Sequence, residues 1–135
     1  MNTLTQNPKV KMQNYNLKPK NDLKLRCYRF SLDIIALADK LPNKRSAWII
    51  VDQLIRAATS IGANLIEARA SSSRLEFKKF NEIALKSANE TKYWSCLLRD
   101  TKLADKKEIE TLLAEAVEIS NMLASRVLKL KNKKF

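Results

Sequence analysis

Gln53-Leu-Ile-Arg-Ala-Ala-Thr-Ser60-Ile-Gly-Ala-Asn-Leu-Ile-Glu67 is the stretch whose reading decides the fold. Leu54, Ala58, Ile61 and Leu65 recur along it at steps of four and three. Gln53, Arg56, Ser60, Asn64 and Glu67 repeat the same steps on the other side. Such steps follow the 3.6-residue period of an α-helix, so the two rows are opposite faces of one helix. Ala47 and Val51 extend the apolar row backwards, and the pattern spans residues 44–68. Trp48, Ile55 and Ile66 widen the apolar arc on one flank, Ile50 and Ala57 on the other. An arc of about half the circumference exceeds the seam needed against a single neighbour.

The neighbours read the same way. A first helix begins near Asn21 or Asp22 and carries Cys27, Phe30, Ile34, Leu37 and Leu41 as one stripe up to Pro42. The proline ends it, because the residue before a proline is pushed out of helical geometry. Ser73-Arg-Leu-Glu76 has the capping-box pattern and opens a third helix that runs to about Thr101. Its stripe is Phe77, Phe80, Ala84, Ser87, Thr91, Trp94 and Leu98, flanked by Glu76, Ile83, Glu90 and Leu97. Asp105-Lys-Lys-Glu108 opens a fourth, with Ile109, Leu112, Ala116, Ile119, Leu123 and Leu130 inward. The 135 residues hold one Gly and three Pro, too few turn residues for a β-rich fold. Four helices of about 20–28 residues joined by short loops predict an all-α, antiparallel up-down-up-down four-helix bundle over residues 21–131.

What is missing excludes whole classes of function. With no His there is no Ser-His-Asp relay and no His-ligated metal. A single Gly rules out Gly-rich phosphate loops. Cys27 and Cys96 lack paired spacing and read as packed, reduced thiols. Glu67, Glu76 and Glu90 are the acids beside the apolar arcs, but their basic neighbours suggest ion pairing rather than catalysis. No catalytic, cofactor-binding or metal-ligating residue is expected, and no enzyme. No unbroken apolar run exceeds that of residues 47–51, far too short to cross a bilayer. The start has no apolar signal region, so the cytoplasm is the expected location.

The charge is uneven. Lys plus Arg is 26 against 14 acids, a net +12. Residues 1–20, read as a flexible basic arm, hold Lys9, Lys11, Lys18 and Lys20 and no acid. The last ten residues hold Arg126, Lys129, Lys131, Lys133 and Lys134, again without an acid, and residues 132–135 form a basic tail. In an up-down-up-down bundle both flanks converge on one pole with Arg69, Arg74, Lys78 and Lys79. That surface is the candidate nucleic-acid interface, because phosphates binding it release counterions.

The ordered set Leu41-Pro42, Gln53-Leu-Ile-Arg56, Ser60-Ile, Asn64-Leu-Ile-Glu67, Ser73, Glu76-Phe77, Phe80, Ile83-Ala84 and Ser87-Ala-Asn-Glu90 resembles the four-helix bundle protein family. Its founding members are encoded within intervening sequences of bacterial 23S rRNA genes. The chain departs from the family pattern at Ala68, where Gly is usual, and at Ser71, often basic. The resemblance implies a homopentamer without enzymatic activity. It also implies kinship with the accessory proteins of diversity-generating retroelements, which act with a reverse transcriptase and RNA. The expected function is RNA binding through the basic surface, with docking to a protein partner such as a reverse transcriptase as the alternative. The polar row has two readings: a solvated face, or pairs that fix helix packing, with Arg56 and Asn64 meeting Glu90 or Glu76 and Glu67 near Arg74.

Overall fold

The computed structural model describes residues 22–133. Within them run α1 (Leu23–Ala38), α2 (Arg45–Arg69), α3 (Arg74–Asp100) and α4 (Lys106–Lys131). The expected arm over residues 1–20 lies outside the described residues, as does the end of the expected tail.

Each helix begins and ends for a local reason. Asp22 caps α1 by accepting from the Leu25 amide at 3.1 Å. The helix has 16 residues and closes at Ala38, short of the expected Leu41. There the chain tightens: the amides of Lys40 and Leu41 bond three residues back, to Leu37 and Ala38. Leu41 still packs against the core from this turn, which accounts for its place in the stripe. Ser73 caps α3 by accepting from the Glu76 amide at 3.1 Å. The Glu76 carboxylate returns to the Ser72 amide at 3.0 Å, one residue earlier than the standard box. Asp105 caps α4 through the Glu108 amide at 3.0 Å. The Glu108 carboxylate turns instead to Lys40 Nζ, 2.9 Å away beyond the end of α1.

Four cross-helix contacts fix the topology. Late in α2, Gly62 faces Cys27 early in α1, and a Cβ added there would stand 3.4 Å from Cys27 Cβ. Ser87 Oγ donates to Ser60 Oγ at 2.9 Å, joining α3 to α2. Arg126, late in α4, donates to Asn81 Oδ1, early in α3, at 3.3 Å. Lys40 and Glu108 join the end of α1 to the start of α4. In three of the pairs early residues meet late ones, and Ser60 and Ser87 join the middles of two helices linked by a short turn, so each helix is antiparallel to both neighbours. The all-α up-down-up-down bundle follows.

Phe30, Ile34, Leu37, Leu54, Ile61, Leu98, Ile109, Ile119 and Leu123 fill its centre. The inward face of α3 is unlike the rest. It buries Asn81, Ala84, Ser87, Ala88, Thr91, Ser95 and Leu98, mostly small or hydroxyl-bearing. Thr91 Oγ1 donates to its own helix at Ser87 O, 2.8 Å away, and so needs no partner across the core. Ala57, Ala58 and Ile61 of α2 are buried on the bundle side of their helix. Small facing residues let α2 and α3 approach closely. Phe77, Phe80 and Trp94, expected in the inward stripe, are therefore half-buried at its edges.

Candidate nucleic-acid interface

The antiparallel ring brings the start of α1, the end of α2, the start of α3 and the end of α4 to one pole. Arg69 is the last residue of α2, and Arg74 is the first of α3. Both are exposed, as are Lys79, Lys129, Lys131 and Lys133; Lys78 is half-buried. The structure thus gathers Arg69, Arg74, Lys78, Lys79, Lys129, Lys131 and Lys133 as the topology predicts. Lys9, Lys11, Lys18, Lys20 and Lys134, assigned to the same surface, lie outside the described residues.

The electrostatics of the pole divide into two parts. At the ends of α2 and α4, Arg69, Lys129 and Lys131 lie in the last turn, where a cation complements the helix dipole. Fold stability alone accounts for those. The start of α3 is the opposite case. Arg74 occupies the first helical position, against the positive end of the dipole. Arg74 and Lys78 stand four residues apart, a like-charge pair that destabilises a helix. Among the described residues the ion-paired bases are Arg26, Lys40, Arg56 and Arg99, and none of them belongs to this cluster. The one acid in the first turn of α3, Glu76, is engaged in the cap.

Behind the exposed charges the pole is anchored by contacts the linear pattern did not reveal. Asn81 is fully buried, donates to Phe77 O at 2.8 Å and accepts from Arg126. Its signal was a polar residue within the apolar line of α3. Arg26 of α1 grips Glu115 of α4 with Nη2 at 2.5 Å and Nε at 3.2 Å, and approaches Glu118 at 3.5 Å. The Glu115 hydrogen bond holds the Arg26 guanidinium above its usual pKa. Between these two arginines burial pushes the Cys27 thiol up to about 12, so it stays protonated and unreactive at neutral pH.

A model of the 23S rRNA-intervening sequence protein family matches residues 20–125. The chain belongs to that family. The crystal structure of a protein of unknown function from the S23 ribosomal protein family of Bacteroides thetaiotaomicron is similar to it. Identity is 35% and the TM-score 0.73, over 78% of this chain and 98% of that one. No curated protein sequence matches the chain.

In this member of the 23S rRNA-intervening sequence family, the polar row of α2 is a surface feature with one cross-helix bond. Arg56 pairs with Asp52 on its own helix at 3.3 Å rather than with Glu90. Asn64 Nδ2 donates to Ser60 O at 2.8 Å and to Ser60 Oγ at 2.9 Å, and Ser60 in turn meets Ser87 of α3. Glu67 and Glu90 are exposed and in no ion pair with another described residue. Glu67, Glu76 and Glu90 are not brought together. Among the described residues no group of three His, Cys, Asp or Glu side chains could hold a metal ion.

The opposite flank of α2 carries the surplus apolar surface. Trp48 and Ile66 on that flank are 60% and 57% exposed, and Ile49, which falls within the polar row, is 55% exposed. By length and composition α2 would suffice to cross a membrane. Its polar row and its buried line of Ala47, Leu54, Ala58, Ile61 and Leu65 are what a bundle helix needs.

Proposed function

We propose that this is a non-enzymatic, cytoplasmic RNA-binding protein that takes the RNA backbone on its basic pole. The observation that carries the reading is the base cluster opening α3. Arg74 sits against the positive end of the helix dipole and one turn from the like-charged Lys78, and no described acid pairs with Arg74, Lys78 or Lys79. Charge that costs the fold free energy has its use in a bound polyanion. Arg69, Lys129, Lys131 and Lys133 extend the surface, and Lys9, Lys11, Lys18, Lys20 and Lys134 add to its supply of charge. Ribosomal RNA is the first candidate, because the family takes its name from the 23S rRNA; a retroelement RNA is the other.

Binding of this kind is salt-dependent. The slope of log affinity against log salt measures the phosphates neutralised, about 0.7–0.9 per contact. Combining Arg74→Gln, Lys78→Gln and Lys79→Gln should flatten the slope by about two to three while circular dichroism stays unchanged. An affinity that does not move between low and moderate salt would overturn the reading.

The exposed Trp48, Ile49 and Ile66 favour assembly as a second property. Copies of the chain are the proposed partners, five in the arrangement the resemblance implies. A protein partner such as a reverse transcriptase is the alternative occupant. Sedimentation of the pure chain and co-purification with and without nuclease separate these: a clean monomer removes the pentamer, and a partner that survives nuclease favours the adaptor reading.

A further inference from the structure

Two exposed apolar side chains stand among the bases of the pole, where a phosphate backbone has no use for them. Leu75, 67% exposed, is the most open large apolar side chain among the described residues. It is the second residue of α3, next to Arg74, and Lys78 and Lys79 follow it at three and four positions. That spacing puts the leucine and both lysines on one helix face. Leu128, 60% exposed, repeats the arrangement in the last turn of α4, with Lys129 beside it and Lys131 three positions on. The two helix ends are neighbours at the same pole, joined behind the surface by Arg126 and Asn81.

A lone leucine on a protein surface needs no explanation. These two differ in their setting, since each lies within a turn of bases that form no ion pair with another described residue. A phosphate backbone satisfies the lysines and leaves the leucines without an apolar partner. Two copies of the chain meeting face to face here would set lysine against lysine, which is unfavourable. An anionic lipid leaflet takes both kinds of side chain. Its headgroups attract nearby bases, and the boundary between headgroups and acyl chains accepts aliphatic groups. Lysine stems lie along that boundary while their ammonium groups stay among the headgroups. The next charge inward on α3 is Glu82, so the contact is confined to the end of the helix.

We infer that the basic pole also docks on anionic lipid. Leu75 and Leu128 enter the headgroup boundary, and Lys78, Lys79, Lys129 and Lys131 hold the headgroups. This is peripheral attachment of the folded bundle, with no helix crossing the bilayer. It does not depend on the RNA-binding reading, because the same bases serve either ligand.

The test is co-sedimentation of the full chain with vesicles of phosphatidylcholine containing about 30% phosphatidylserine, beside vesicles of phosphatidylcholine alone. The mixed vesicles should bind about tenfold more tightly or better. Combining Leu75→Ser with Leu128→Ser should weaken that binding about tenfold and leave the affinity for an RNA hairpin, read by fluorescence anisotropy, nearly unchanged. No preference for the mixed vesicles overturns the inference and leaves the RNA-binding reading standing. Vesicle binding that the leucine variant keeps in full is adsorption by charge alone and overturns it as well. A variant that loses RNA and vesicles alike assigns the leucines to the RNA interface, and the inference falls. Vesicle binding as expected from a chain that binds no RNA removes the RNA-binding reading alone.

Discussion

Lys102 is the one non-glycine residue with a positive φ among those described, at 60°. It follows Thr101, the C-cap of α3, and lets two free carbonyls be used: the Leu103 amide bonds to Leu98 O at 3.3 Å and the Lys102 amide to Arg99 O at 3.2 Å. This is the Schellman arrangement, in which glycine is the usual left-handed residue. A side chain there costs about 1–2 kcal/mol, offset in part by the extra freedom a glycine has in the unfolded chain, about 0.5–1 kcal/mol. Lys102→Gly should therefore raise the unfolding free energy by about 0.5–1 kcal/mol in urea denaturation. The end of α3 was read to within a residue, but the turn type was not, because no Gly marks it. The single Gly of the chain is elsewhere, late in α2. There Cys27 stands at ordinary contact distance from the place a methyl group would occupy, so Gly62 reflects neither a turn nor an enforced close approach.

Between elements, ion pairs differ in worth according to where they lie. Arg56 and Asp52 have side chains 75% and 64% exposed, and such pairs contribute about 0–1 kcal/mol. Arg26 and Glu115, at 18% and 30%, stand between surface and core and tie α1 to α4. Arg26→Met should cost about 1–3 kcal/mol by leaving the Glu115 carboxylate half-buried and unpaired, whereas adding Glu115→Met should recover most of that loss. A double-mutant cycle followed by thermal unfolding checks it, and a cycle that sums to zero coupling would sink the clamp. Sequence reasoning set Arg56 against Glu90 by counting along a hairpin, but Asp52, one turn back on the same helix, was the nearer acid. The Arg26 clamp was out of reach, since its partners are 89 residues apart and their meeting depends on the rotation of two helices about their axes. The side-chain caps at Ser73 and Asp105 were legible because a cap is written within four consecutive residues.

At the scale of the whole molecule, charge and fold pull against each other. A net +12, with Arg69, Arg74, Lys78, Lys79, Lys129, Lys131 and Lys133 at one end, repels itself when the protein is free. Raising sodium chloride from about 20 to 200 mM shortens the Debye length from roughly 20 Å to under 10 Å. The melting temperature of the free protein should rise by a few degrees over that range, measured by scanning fluorimetry. A fall instead would mean that the pole is already neutralised within the protein. The convergence of these bases could be predicted because topology alone dictates it. The cleft between α3 and α4, where Glu82, Lys86 and Glu90 stand near Lys131, could not, because which side chains meet there depends on how far α3 is turned on its axis.

The same topology decides how the bundle responds to force. Asp22 and Lys133 lie toward the same pole, at the ends of two neighbouring antiparallel helices. Tension applied at those two points would not slide α1 lengthwise along α4, which would load many contacts together. It would peel the helices apart from the pole inwards, a few contacts at a time. On α1 the Arg26 clamp lies one turn in from Asp22. The molecule is built to be unzipped rather than sheared.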